Sequence, residues 1–110
     1  MTKVLIIIST AEIEKALTGF MYAVNSVRYS WLEEVEVVLF GPIEREIAKG
    51  NEKLMPWIEK LNELNKTPYA CRKIAEDEGI VESLKPYTKV EYIGPVISKL
   101  INEGYVPMVF

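Results

Sequence analysis

The chain has 110 residues, 49% hydrophobic and 26% charged, with a formal net charge of -3 at pH 7. That length fits one domain over residues 1–110 with a single core, and the composition is that of an ordinary soluble globular protein. The acidic balance excludes a nucleic-acid footprint, and the run Val4-Leu5-Ile6-Ile7-Ile8 is too short for a membrane span and too close to Glu12 and Glu14 for a signal peptide, so a cytoplasmic protein is expected.

Residues 3–8, KVLIII, form a β-branched run without alternation, as expected of a strand buried on both faces of a parallel sheet. Ser9 and Glu12 have the spacing of a capping box. Beyond them Ile13, Ala16, Leu17, Phe20, Met21, Val24 and Val27 recur at helical steps, which predicts a long amphipathic helix ending near Ser30. Residues 35–40, VEVVLF, repeat the strand pattern and stop at Gly41-Pro42, where proline suits the first turn of a helix over 43–49. After Gly50-Asn51, helical period returns over 54–64, with Pro56 in its first turn. Residues 68–71 are a short strand candidate, 72–78 a helix closed by Gly79, and 80–84 one further turn. A fourth strand is expected at 90–93, a helix at 96–102 after Gly94-Pro95, and a last strand at 105–110.

Strand and helix alternate throughout, which specifies an α/β fold of three layers: a parallel sheet with right-handed crossovers and helices on both faces. In such sheets ligands gather beyond the carboxyl ends of the strands. The junctions expected on that edge are Ser9-Thr10, Gly41-Pro42, Cys71-Arg72 and Gly94-Pro95. The only cysteine therefore shares a rim with two glycines and a pair of small hydroxyls.

One cysteine cannot form an intramolecular disulfide, and a free thiol suits a reducing compartment. At the start of a helix beside Arg72 and Lys73, Cys71 is placed for thiolate formation, hence for attack on sulfur or for holding a persulfide. The same placement suits a packed residue, because free cysteine is among the residues most often buried and Tyr69, Ala70 and Ile74 are apolar neighbours. The absence of histidine removes any Cys-His dyad, triad or zinc site within the chain. Neither Gly-Pro pair is a nucleotide-binding fingerprint, and Glu76-Asp77-Glu78 has the character of a solvated helix face. The lack of glutamine, with frequent Glu, Lys and Ile, resembles the bias of proteins from a thermophile. Phe20, Tyr22, Tyr29 and Trp31 crowd one helix on more than one side, which points to a homo-oligomer.

The segments ALTGFMYAVNSV, VEVVLFGPIE, YACRKIAEDEGI and VEYIGPVISKLINEGY, in this order between opening and closing strands, resemble the DsrE/DsrF-like sulfur-relay family over nearly the whole chain. The resemblance implies a five-stranded parallel sheet between helices, assembly as a trimer or hexamer, and sulfane sulfur carried as a persulfide on the residue matching Cys71. It implies sulfur donor or acceptor proteins as partners and no cofactor. With no second cysteine, sulfur on Cys71 must leave to a thiol on another chain or a small molecule. The alternative within the same fold is a non-catalytic oligomeric scaffold or binding module, its rim (Ser9, Thr10, Gly41, Pro42, Arg72, Gly94) taking a small anion or nothing.

Overall fold

Four of the six residues of β1 (Lys3–Ile8) are buried although successive side chains point to opposite sides of a strand, so this strand has cover on both faces. A computed structural model describing residues 1–110 places it second from one edge of a five-stranded sheet of order β4-β3-β2-β1-β5, in which every pairing is parallel. The other strands are β2 (Glu34–Leu39), β3 (Tyr69–Cys71), β4 (Lys89–Glu91) and β5 (Val106–Val109). The helices are α1 (Ile13–Arg28), α2 (Ile43–Ala48), α3 (Met55–Glu63), α4 (Arg72–Glu78), α5 (Val81–Leu84) and α6 (Ile93–Asn102).

The period of two divides the strand residues between two apolar clusters. Val4, Ile6, Ile8, Val35, Val37, Leu39 and Ala70 pack with Phe20 and Val24 of α1, Ile43 and Ile47 of α2, Ile58 and Leu61 of α3, and Leu84 of α5. Leu5, Val38 and Cys71 face the other way and are covered by Ile93, with Val96, Ile97 and Leu100 of α6 packed around them. Full burial of each large aliphatic side chain contributes roughly 1.5–3 kcal/mol, and most of that gain lies on the first face. The second layer is thin. Ile101, Val106 and Val109 remain 46%, 50% and 66% exposed around α6 and the edge strand β5.

Several boundaries differ from the sequence reading. No capping box forms: Glu12 is the N-cap of α1, and its N–H donates to Thr10 Oγ1 at 3.0 Å. Ser9 is held instead by the sheet edge, donating its N–H to the Phe110 carbonyl at 2.7 Å and accepting from Ile43 N–H at 3.1 Å. The fourth strand ends at Glu91 rather than 93, and α6 starts at Ile93 rather than 96. Pro95 is compatible with this early start because first-turn N–H groups have no intrahelical acceptor to lose. Gly94 consequently lies inside α6 and is not a junction residue; Tyr92, extended at φ -69° and ψ 116°, takes that place. Gly79 closes α4 in the left-handed conformation at φ 69°, as expected of a C-terminal glycine. The aromatic crowd on α1 divides: Phe20 is fully buried and Tyr22 packs against the core, while Tyr29 and Trp31 stay exposed. Most of the helix therefore finds its cover within the chain.

Candidate functional site

Parallel register aligns Ile8 with Leu39 and Leu39 with Ala70, so the next residues along, Ser9, Phe40 and Cys71, stand at one level on the carboxyl edge of the sheet. Cys71 in turn aligns with Glu91. Ser9-Thr10, Gly41-Pro42 and Cys71-Arg72 thus do gather on one rim.

Gly41 is the tightest point of that rim. Its φ of 140° lies where side chains are disfavoured, and a Cβ there would stand 2.9 Å from the Ser9 carbonyl oxygen and closer still to Ser9 Oγ. The absent side chain lets the two loops touch. Ser9 then accepts the Ile43 N–H, which seats the start of α2 against β1, and Pro42 precedes that helix with φ -57°.

Glu44, in the first turn of α2, is the group the sequence reading missed. It is fully buried. Its Oε2 accepts the Gly41 N–H at 3.4 Å, while Oε1 has no hydrogen-bond partner. Burial pushes its pKa up to about 7; the backbone N–H groups of Gly41 and Cys71 pull it down and the Glu78 carboxylate pushes it further up. The carboxyl therefore lies against the backbone of Cys71. One signal was available: Glu44 is three and four residues before Ile47 and Ala48, so it belongs to the inward side of its helix.

Cys71 ends β3 with an extended backbone, φ -68° and ψ 115°, as the N-cap of α4. It is 5% exposed, in contact with the apolar group of Leu5, Val38 and Ile93. The basic residues beside it are engaged elsewhere. Arg72 Nε pairs with Glu76 at 3.2 Å and its guanidinium lies 5.8 Å from the Tyr92 ring centre. Lys73 pairs with Asp77 at 2.9 Å, and Tyr92 Oη donates to Glu76 at 3.1 Å. The cations expected to favour a thiolate are thus drawn along α4 by carboxylates one turn on, and the ionisable side chain acting next to the Cys71 backbone is Glu44.

A groove of about 280 Å³ runs between α6 and the β3–β4 edge, lined by Tyr69, Glu91, Val96 and Leu100 among others. Ser9, Thr10, Gly41, Pro42, Cys71 and Arg72 line neither this groove nor the two other concavities. No group of three or more acidic, cysteine or histidine side chains is placed to hold a metal ion.

Two solved structures share this architecture. A conserved protein of unknown function, BT1422 from Bacteroides thetaiotaomicron, superposes with a TM-score of 0.86 at 20% identity, over 98% of this chain and 95% of its own. The YchN protein from E. coli superposes with a TM-score of 0.77 at 13% identity, over 100% of both chains. The chain has their fold. At these identities the likeness concerns architecture alone, and the five-stranded parallel sheet is the one implied by the DsrE/DsrF resemblance. No protein-family model matches the chain, and no curated protein matches it in sequence.

Proposed function

We propose that the chain is a sulfur carrier in which Cys71 takes sulfane sulfur from a hydropersulfide and yields it to an acceptor thiol. The observation that carries this reading is the position of Cys71, the chain's only thiol, at the carboxyl end of β3 on the rim with Ser9 and Gly41. Open parallel sheets place their chemistry on that edge. In the loading step the Cys71 sulfur attacks the terminal sulfur of R–S–SH, the donor S–S bond breaks, and the products are Cys71–S–SH and R–SH. Sulfane sulfur changes hands and two protons are conserved, so no oxidant, reductant or cofactor is needed. Unloading is the same exchange toward a different thiol.

Incubation with glutathione persulfide, followed by intact mass measurement, tests this directly. The carrier gains the mass of one sulfur atom, on Cys71, and loses it again to added thiol. An unchanged mass across persulfide donors refutes the relay.

One observation favours a second reading: the sulfur belongs to an apolar group at 5% exposure. In that reading Cys71 is a packing residue of a scaffold protein, and a thiol reagent labels it only after unfolding. In either reading we place a second copy of the chain against the thinly covered face of α6 and β5, where Ile101, Val106 and Val109 are open. A homo-oligomer of trimeric or hexameric order, as the sulfur-relay resemblance implies, would bury them.

A further inference from the structure

We infer that the groove between α6 and the β3–β4 edge binds a small thiol carried on a free α-amino-acid head, with the head's carboxylate on Lys99, its ammonium on Glu103 and the thiol-bearing arm along Tyr69, Val96 and Leu100. Binding of such a zwitterion stands on the groove alone. That the guest exchanges sulfur with Cys71 rests on the sulfur-carrier reading.

The charges around the groove carry the assignment. Lys99 and Glu103 lie one helical turn apart, and both line this space of about 280 Å³. Opposite charges at that spacing ordinarily close on one another, as Arg72 does with Glu76 at 3.2 Å and Lys73 with Asp77 at 2.9 Å. Lys99 and Glu103 do not close, and neither they nor Glu91 enter any of the chain's seven ion pairs. Two open charges of opposite sign beside an apolar floor complement a ligand that carries an ammonium and a carboxylate on one carbon. The volume is close to the lower end, roughly 300 Å³, of small-molecule pockets.

The direction of α6 orients the guest. The helix leaves β4 at the carboxyl edge of the sheet and returns toward the amino edge, so Val96 lies near the rim and Glu103 lies seven residues, or about 10 Å, further down. Tyr69 precedes Cys71 by two positions on β3 and Glu91 is the register partner of Cys71, so both point to the sheet face that carries the cysteine. Tyr69, Val96 and Leu100 also pack on the apolar group that contains Cys71. A head seated at Lys99 and Glu103 therefore lies below the level of Cys71, and an arm of several bonds is needed to bring its sulfur up to that level. Cysteine itself is too short; a γ-glutamyl peptide thiol, with an amide link between head and sulfur, has the length. Val96, Lys99, Leu100 and Glu103 recur at three- and four-residue steps and share one side of α6, whereas Ile101, against which a second copy is placed, belongs to the other.

Reduced glutathione, titrated into the isotopically labelled protein and followed by amide NMR, tests the site. The amides of Glu91, Val96, Lys99 and Leu100 should shift, and cysteinylglycine, which lacks the γ-glutamyl head, should bind about 5-fold or more weakly. Lys99→Glu and Glu103→Lys should each weaken glutathione by a similar factor. The two reversals combined restore one charge of each sign and should recover most of the affinity, which a merely structural role for either side chain would not produce. An absence of shifts at these amides, equal binding of cysteinylglycine, or a double variant as weak as the singles overturns the inference. Should a variant not fold, the comparison of the two ligands on wild type decides alone. Glutathione bound as expected, with no persulfide ever formed on Cys71, leaves the groove standing and removes the relay; persulfide formed on Cys71 without shifts at the groove leaves the relay and removes this site.

Discussion

Gly41 and Ser9 come so close that the backbone oxygen of Ser9 would lie 2.9 Å from any Cβ on Gly41. The contact joins the ends of β1 and β2 and fixes the loop that leads into α2, whose first turn holds Glu44. Gly41→Ala meets two obstacles at once, a φ of 140° and a backbone atom that cannot rotate away. Strain of this kind costs about 1–3 kcal/mol before the clash is counted, so the melting temperature should fall by several degrees. Thermal unfolding followed by circular dichroism measures this, and an unaltered midpoint would show that the rim relaxes freely.

Cys71→Ser should abolish persulfide loading and lower stability by no more than about 2 kcal/mol. Two effects oppose one another here. Serine at an N-cap gains about 1 kcal/mol from the free N–H groups of α4, whereas an unpartnered buried hydroxyl costs about 1–3 kcal/mol. Chemical denaturation of wild type, Cys71→Ser and Cys71→Ala resolves the balance. A serine variant far less stable than the alanine one would mean that the hydroxyl is trapped among Leu5, Val38 and Ile93 without reaching the helix.

Glu44 makes stability depend on pH in a direction opposite to most carboxylates. Its folded pKa, about 7, lies above the unfolded value of 4.5, so the folded chain binds the extra proton between these limits. Stability from this group is greatest below the unfolded pKa and is lost as pH rises through about 7, by up to about 3 kcal/mol. Glu44→Gln removes the penalty. Urea midpoints at acidic and alkaline pH should show the variant gaining on wild type as pH rises, and a pH-independent difference would place the carboxyl in water.

The exposed face of α6 and β5 predicts self-association. Val109 is 66% exposed and belongs to neither apolar cluster, so Val109→Asp leaves the core intact. Light scattering should find wild type heavier than 12.6 kDa and the variant shifted toward that mass. A 12.6 kDa species for wild type at micromolar concentration removes the assembly.

Much of the architecture was legible in the chain itself. KVLIII and VEVVLF name their strands because β-branched runs without alternation belong to strands covered twice, and Gly79 announces the end of α4 because a left-handed residue is needed there. The alternation of these elements specified the parallel sheet, and with it the edge that gathers Ser9, Gly41 and Cys71. These are local properties of consecutive residues, read through the periods of strand and helix.

What only the tertiary structure decided are the relations between distant residues. Ser9 has a capping residue's spacing, yet the Phe110 carbonyl and the Ile43 N–H hold it at the sheet edge, and neither partner is near it in sequence. Arg72 and Lys73 flank Cys71 in the chain but turn to Glu76 and Asp77 one helical turn away. Glu44 lies 27 positions before Cys71 and reads as an ordinary helical glutamate; parallel register and the Gly41–Ser9 contact bring its carboxyl to the cysteine's backbone and bury it there. Sequence spacing determines which residues share an element, whereas solvent exclusion and charge at a site depend on which elements meet, because burial is a property of the whole packed chain.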